Sequence, residues 1–382
     1  MDMLRQLYPE PLEFHAGGRR GSRRQFVALP SAGRARMLLP CAPRLSARAL
    51  EQARRPVGLR ERGKVHAIAW ALRCGAGAVV GDRVSVCGAG RILDERLSEV
   101  LGEPVVVGVF LGPPRANRKP VLQLLDRQGT LVGVAKVGAT PLAATLVAAE
   151  AETLRRLAVL APMGLVTPRV IDELVWNGLP VVVQSPLKIW SDGHDVQTLG
   201  LVRAVRVIAA LGGMSRRRWA TSEYAGSLHQ RIASLPDREL RATMAELVAT
   251  AMSPDDIVVL GSWHGDLTPW NMAGSRSGTM VWDWERFETG VPFGFDLLHH
   301  HFVPSLGRLG EDVARAGVLL VERSTELLGP LGADLGSAAA VAVLYLVEIA
   351  LRFTVDGQGA TGVPGGNPAT WLGPLHDHWQ NG

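Results

Sequence analysis

Three oxygen-bearing side chains stand out by type and spacing. In Trp263-His264-Gly265-Asp266-Leu267-Thr268-Pro269-Trp270-Asn271, the carboxylate of Asp266 and the amide of Asn271 are five residues apart. Gly265 and Pro269 in the same segment exclude a regular helix, so a loop presents the two groups together. Asp283 follows a short apolar stretch, Met280–Trp282, and a hairpin can return it to the side of Asn271. Two carboxylates and an amide oxygen are hard oxygen ligands. They suit Mg²⁺, an ion that usually keeps waters and binds substrate phosphates. Any one of these residues alone is better explained as a cap on neighbouring backbone groups. The spaced set of His264, Asp266, Asn271, Asp283 and Glu285 is not.

The two motifs together resemble those of the aminoglycoside phosphotransferase and choline kinase family, which shares the protein-kinase-like fold. The resemblance covers roughly residues 104–350. It implies that Asp266 is the catalytic base acting on an acceptor hydroxyl, and that Asn271 and Asp283 hold Mg²⁺ with the phosphates of ATP. His264 would brace the loop. Asp296, in Gly290-Val291-Pro292-Phe293-Gly294-Phe295-Asp296-Leu297, would buttress it without touching substrate.

The same resemblance implies three features upstream. A strand lysine should meet the α- and β-phosphates, and Val134-Ala135-Lys136-Val137 supplies Lys136. A glutamate on the next helix should pair with it. Glu150 is the first candidate and Glu152 its competitor. A hinge should follow the fifth strand, where the backbone of Gln184, Ser185 and Leu187 would meet adenine. The glycine-rich lid is the departure: Gly108 and Gly112 are present, but the G-x-G-x-x-G pattern is not. Asn117, Arg118 and Lys119 either reach phosphate there or form an exposed basic turn.

The elements that must position these residues are legible in outline. Val105–Leu111, Val121–Leu125 and Leu131–Val137 read as strands of an antiparallel meander, followed by a helix over Pro141–Leu160. Val170–Val175 and Val181–Gln184 flank Trp176-Asn177-Gly178, a strong hairpin signal. After Leu187 the chain reads as mainly helical, with helices over Leu199–Leu211, Leu228–Leu235, Arg238–Ala251, Phe295–Phe302, Gly310–Leu328 and Ala338–Thr354. The expected fold class is therefore α+β and two-lobed. Residues 104–187 form a sheet-bearing, ATP-binding N-lobe with one helix. Residues 188–382 form a helical C-lobe with the catalytic loop and acceptor site. Residues 1–103 read as an additional α/β segment, either a basic extension or a small domain. Within it, residues 1–25 read as an extended arm, Phe26–Leu29 and Met37–Leu39 as a hairpin, and Ser46–Arg55 (Ser46 as N-cap) and Leu59–Arg73 as helices. The Gly- and Pro-rich tail from Asp356 reads as a surface wrap.

Composition excludes several classes. With 47% hydrophobic and 20% charged residues in 382, the chain is neither disordered nor a disulfide-stapled miniprotein. Cys41, Cys74 and Cys87 form no CxxC pair and read as buried thiols. The longest apolar run, Ala338–Leu351, is broken by Glu348 and falls short of the ~20 residues of a membrane span. No secretory signal is visible, so the expectation is a cytoplasmic protein with no membrane and no nucleic-acid partner. The charge is uneven: residues 1–100 carry 18 Lys and Arg against 9 Asp and Glu. The cluster Arg19, Arg20, Arg23, Arg24 reads as a solvated basic loop.

The expected function is ATP- and Mg²⁺-dependent transfer of the γ-phosphate to a hydroxyl of a small-molecule acceptor: a sugar, amino sugar, aminoglycoside or amino alcohol. Trp270, Trp284 and Glu285 are the candidate acceptor residues. Two alternatives stand beside it. One is a Ser/Thr kinase for a precursor peptide of a modified natural product, docked by the basic N-terminal segment. The other is a catalytically weak pseudokinase. The run His299-His300-His301 points in three directions on a helix, so helix packing is its expected role, with one histidine left to line an acceptor pocket.

Overall fold

The computed structural model describes residues 2–19, 21–53, 59–190, 193–332 and 337–381. Arg20 and the expected helix end at Arg54 and Arg55 lie outside them. The chain folds as two compact units, residues 1–155 with 168–193, and residues 156–167 with 194–382.

The first unit is built on strands β1 (Glu13–Ala16), β2 (Arg24–Leu29), β3 (Met37–Pro40), β4 (Asp82–Cys87), β5 (Val106–Phe110), β6 (Val121–Leu125) and β7 (Leu131–Val137). Beyond β8 (Leu165–Val166), which belongs to the second unit, come β9 (Val170–Trp176) and β10 (Leu179–Gln184). Among the described residues they form one nine-stranded antiparallel sheet, in the order β1-β4-β2-β3-β5-β6-β7-β10-β9. Helices α1 (Asp2–Leu7), α2 (Pro43–Ala53), α3 (Leu59–Arg73), the short α4 (Gly77–Val80), α5 (Leu93–Leu101) and α6 (Pro141–Leu160) accompany it.

Turn chemistry sets the hairpins. Asn177 and Gly178 both have positive φ, 50° and 76°, as a tight two-residue hairpin turn requires. Between β6 and β7, Asp126 Oδ1 accepts from the N–H groups of Gln128 and Thr130, each at 2.8 Å. Strand alternation then sorts side chains between the faces. One face buries Val107, Val109, Leu122, Leu124, Ala135, Val137, Val181 and Val183 with Leu4, Leu7 and Tyr8 at the N-terminus and Leu93 and Leu97 of α5. The other buries Val27, Leu39 and Leu125 with α2 and α3, while Val147 and Ala151 of α6 cover Val182.

The expected division at residue 103 meets a continuous sheet. Met37 pairs with Phe110 and Leu38 with Val109, so the strands of residues 1–103 join β5 edge to edge. The expected extended arm is also different: α1 is helical and buries Leu4 and Leu7, and the Tyr8 hydroxyl donates to Asp94 Oδ1 at 3.3 Å. The physical reason is that an isolated edge of β5 and an uncovered apolar face would both be costly. Part of the basic cluster is matched within the unit, with Arg24 on buried Asp94 at 2.8 Å and Arg23 on Glu95 at 2.6 Å. Ser46 lies inside the first turns of α2, its hydroxyl donating to the Pro40 carbonyl, and so is not the N-cap expected of it.

The second unit carries α7 (Thr198–Ala210), α8 (Glu223–Ala233), α9 (Arg238–Ala251), α10 (Phe295–Leu309), α11 (Ala316–Glu322), α12 (Ser324–Leu328), α13 (Ala338–Asp356) and α14 (Ala369–Asn381). Two small sheets are set among them, with β11 (Ser215–Arg218), β12 (Ile257–Trp263) and β15 (Glu288–Pro292) in one, and β13 (Met272–Ser275) and β14 (Gly278–Val281) with β8 in the other. The single helix expected over Gly310–Leu328 is broken into a 3₁₀ turn, α11 and α12. Among the described residues α13 is the one helix long and apolar enough to cross a membrane by composition, and 67% of its apolar window is buried inside the protein. The tail does not wrap the surface: Trp371, Leu372 and Leu375 of α14 are wholly buried, because their apolar area closes the core beside α11 and Phe302.

Candidate active site

In the second unit, the loop after β12 is held from below by α10. Asp296, in the first turn of that helix and 2% exposed, accepts from the backbone N–H groups of His264 at 2.7 Å and Gly265 at 3.2 Å. Burial raises its carboxyl to about 7 against the pull of those two hydrogen bonds. Gly265 has φ +80°, and a Cβ there would lie 2.3 Å from the Arg286 carbonyl, so only glycine fits. Arg352 of α13 donates to the Gly265 carbonyl at 2.5 Å and lays its guanidinium 4.5 Å from the Trp263 ring centre.

His264 is fully buried and links the two motifs. Its Nδ1 accepts from the Asp266 N–H at 3.1 Å, which leaves Nε2–H to donate to the Trp282 carbonyl, also at 3.1 Å. Burial pushes this imidazole down to about 4, so it is neutral at pH 7. The hairpin expected to bring Asp283 beside Asn271 is present: Met272 pairs with Val281, and the Trp282 N–H donates to the Asn271 carbonyl at 3.1 Å. Asp283 follows with φ +70°, a left-handed conformation that a non-glycine residue holds at a cost and that recurs at functional sites.

Asp266 is the centre of the arrangement. Its side chain is 29% exposed. Oδ2 accepts from Asn271 Nδ2 at 2.8 Å, and the same nitrogen donates to the Asp266 carbonyl at 2.9 Å. With the amide nitrogen turned onto Asp266, the Asn271 oxygen is turned the other way. Oδ1 accepts from His299 Nε2 at 3.0 Å, and His299 Nδ1 accepts from the Tyr345 hydroxyl at 3.0 Å. Burial is the largest single influence on the Asp266 carboxyl and raises it, but the hydrogen bond from His299 together with the electrostatic pull of His299 and His264 leaves the group below its ordinary value. His299 itself is lowered, chiefly by burial, and is neutral.

In the first unit, Lys136 alternates with buried Ala135 and Val137 and so points to the face that α6 covers. Val182 lies directly opposite Lys136 in the ladder, and Val147 and Ala151 of α6 pack on Val182. That packing presents Glu150 to the lysine: Nζ donates to Oε1 at 2.6 Å and Oε2 at 2.7 Å, with Lys136 6% and Glu150 0% exposed. The competitor Glu152 pairs with Arg155 at 2.9 Å on the exposed side of the helix.

At the expected hinge, Gln184 is 2% exposed and its Nε2 has no partner among the described residues. The Ser185 N–H donates to the Arg169 carbonyl at 2.8 Å, so it has no hydrogen left for a base. Leu187 is half-buried, and its N–H makes no bond among the described residues.

Of the candidate acceptor residues, Trp270 is half-buried and Glu285 is 4% exposed. Trp284 corrects its expectation. It is 0% exposed, donates Nε1–H to the Val281 carbonyl at 3.0 Å and packs its ring 4.6 Å from that of His264. It is a support of the loop and has no face to offer a ligand. The histidine run was expected to serve in helix packing, with one histidine left to line an acceptor pocket, and the contact of His299 with Asp266 is the residue-level finding that sequence reasoning missed. Asp296 and His299 are three apart on one helix, a spacing that puts both on one face. Tyr345 and Arg352 carried no local signal.

The arrangement fits a divalent cation by its donor chemistry: a fixed amide oxygen at Asn271 and a carboxylate on the left-handed backbone of Asp283, joined by one hairpin.

No protein-family model and no curated protein matches the sequence. A comparison with solved structures finds similar folds at low identity. A thermostable mutant of the aminoglycoside phosphotransferase APH(4)-Ia, in ternary complex with ADP and hygromycin B, is 14% identical with a TM-score of 0.46, over 76% of this chain and 98% of that one. An aminoglycoside phosphotransferase in complex with GDP and kanamycin is 14% identical with a TM-score of 0.41, over 69% of this chain and 89% of that one. One from Streptomyces rimosus is 17% identical with a TM-score of 0.36, over 59% of this chain and 89% of that one.

Proposed function

We propose that the protein is a phosphotransferase that moves the γ-phosphate of ATP to a hydroxyl of a small-molecule acceptor. The observation that carries this reading is Asp266: an ionised, partly exposed carboxylate whose two oxygens each accept from a fixed donor, on a loop otherwise closed by hydrogen bonds.

In this reading the acceptor oxygen forms a bond to the γ-phosphorus as the bond to the β,γ-bridging oxygen breaks and ADP leaves. Asp266 orients the acceptor hydroxyl and takes its proton late, when the new ester bond is largely formed. His299 and Asn271 fix the carboxylate, and His299 keeps it ionised at neutral pH. Lys136, held by Glu150, orients the α- and β-phosphates. Asn271 and Asp283 are the residues that would hold Mg²⁺, which supplies charge neutralisation to the phosphates when bound. At the hinge, the N–H of Leu187, unbonded among the described residues, is the donor proposed for the base. Phosphoryl transfer depends mainly on positioning and electrostatic stabilisation, so this small set is sufficient.

The test is ATP consumption with Mg²⁺ across sugars, amino sugars, aminoglycosides and amino alcohols. Acceptor-dependent ADP release with a phosphorylated product supports the reading. ATP consumption that no hydroxylated acceptor stimulates counts against it.

A further inference from the structure

At one end of the first unit's sheet lies a cavity of about 340 Å³ lined by Leu4, Ala32, Ala35, Leu111 and Pro114 and by three arginines, Arg34, Arg36 and Arg118. It is built by two loops tied together, with the Leu111 N–H donating to the Arg36 carbonyl at 2.7 Å. Arg118 is half-buried and directs its Nε–H to the Leu111 carbonyl at 2.9 Å, which anchors its guanidinium to the backbone of the lining loop. Among the described residues no carboxylate pairs with Arg34, Arg36 or Arg118. The nearby Asp82 accepts from the Ala32 N–H at 2.8 Å. Arg118 is pushed below its ordinary value first by burial and then by the charge of Arg36. Like charges gathered in a partly desolvated pocket are unfavourable unless an anion neutralises them.

We propose that this cavity binds a small phosphate ester, its phosphate between the guanidinium groups of Arg34, Arg36 and Arg118 and its body against Leu4, Leu111 and Pro114. Arginine suits that ligand because its planar fork meets phosphate oxygens in pairs. The volume lies at the small end of the range for small-molecule sites. The Arg34 and Arg36 side of the cavity is remote from Lys136, while Arg118 lies three residues before Val121, the strand neighbour of Lys136. Met37, Phe110, Val121 and Lys136 pair in one row across four strands, which sets Met37 about 14 Å from Lys136, and Arg36 lies one residue beyond Met37. The proposal does not depend on the phosphotransferase reading.

The experiment is calorimetric titration of the full chain with ribose 5-phosphate, inorganic phosphate and ribose at fixed ionic strength, with and without saturating Mg·AMP-PNP. Ribose 5-phosphate binds, ribose does not, and inorganic phosphate binds more weakly than the ester. Arg34→Ala and Arg36→Ala, both at exposed positions, each weaken the ester at least about tenfold. Affinity is unchanged by Mg·AMP-PNP. Displacement by the nucleotide would assign the arginines to the nucleotide and overturn the proposal. So would equal affinity for phosphate and ester, unchanged binding in both variants, or binding of a poly-glutamate peptide in place of any phosphate. A failure of Mg·AMP-PNP itself to bind would count against the phosphotransferase reading and leave these outcomes readable.

Discussion

His299 Nε2 stands 3.0 Å from Asp266 Oδ1, and the Tyr345 hydroxyl stands 3.0 Å from the other nitrogen of the same ring. The second contact sets the tautomer of the first. A tyrosine that donates to Nδ1 leaves the proton on Nε2, where it points at the carboxylate. His299 is thus a positioning residue for Asp266.

Replacing His299 with Ala removes a donor from the ionised carboxylate. The Asp266 carboxyl then rises toward its ordinary value or above it, because burial remains. The acid limb of the kcat profile moves to higher pH, and kcat at neutral pH falls about tenfold. Tyr345→Phe keeps the ring but frees its tautomer, so its effect has the same direction and is smaller. A pH profile that does not move in His299→Ala would remove the assigned role.

Lys136 and Glu150 form a buried ion pair, and breaking it strands a charge. Lys136→Met and Glu150→Leu singly should each cost about 3–5 kcal/mol of stability, while the double variant returns close to the wild-type value. Nucleotide affinity should stay lost in all three. Denaturant unfolding with parallel nucleotide titration checks both statements. A double variant that binds Mg·ATP as well as wild type sinks the role given to Lys136.

How much of this was legible depends on the distance over which each signal acts. The hairpin of Asn177 and Gly178 and the loop around Asp266 follow from local residue types. Glu150 stood ahead of Glu152 as the expected partner of Lys136, and the packing of Val147 and Ala151 on Val182 is why that holds. The pairing of β3 with β5 was not legible. Residue types mark both as strands, but nothing in either names its partner more than 70 residues away. Tyr345 and Arg352 were hidden differently: they lie in an apolar helix whose pattern reports only burial, and their contacts to the loop come from tertiary packing.

Acid should destabilise the protein before the carboxylates titrate. His264 and His300 are held down to about 4 by burial, against 6.5 unfolded, so their contribution is present above pH 6.5 and is lost as pH falls toward 4. Asp296, raised to about 7, acts oppositely, since the folded state keeps its proton between 7 and 3.8. The balance is about one proton more bound by the unfolded chain, or about 1.4 kcal/mol lost per pH unit. The lowered His299 and His301 add to it, and Glu288, raised chiefly by burial, subtracts from it. Stability by denaturant unfolding that stays flat or rises from pH 6.5 to 4.5 would contradict this reading.

Asp266 and Asp283 should separate by what they change. With Asp283 proposed as a cation ligand, Asp283→Ala is expected to weaken Mg·ATP binding. Asp266→Ala leaves nucleotide affinity near wild type. Calorimetry with Mg·AMP-PNP on both variants distinguishes them, and equal loss of affinity in the two would merge roles that are here kept apart.

The most direct test is single-turnover transfer of labelled γ-phosphate from Mg·ATP to an acceptor found in the hydroxyl screen, comparing wild type with Asp266→Ala at matched nucleotide occupancy. The predicted result is a phosphorylated acceptor with wild type and a rate lower by about 10²–10⁴-fold in the variant. Transfer at the wild-type rate by Asp266→Ala would contradict the account.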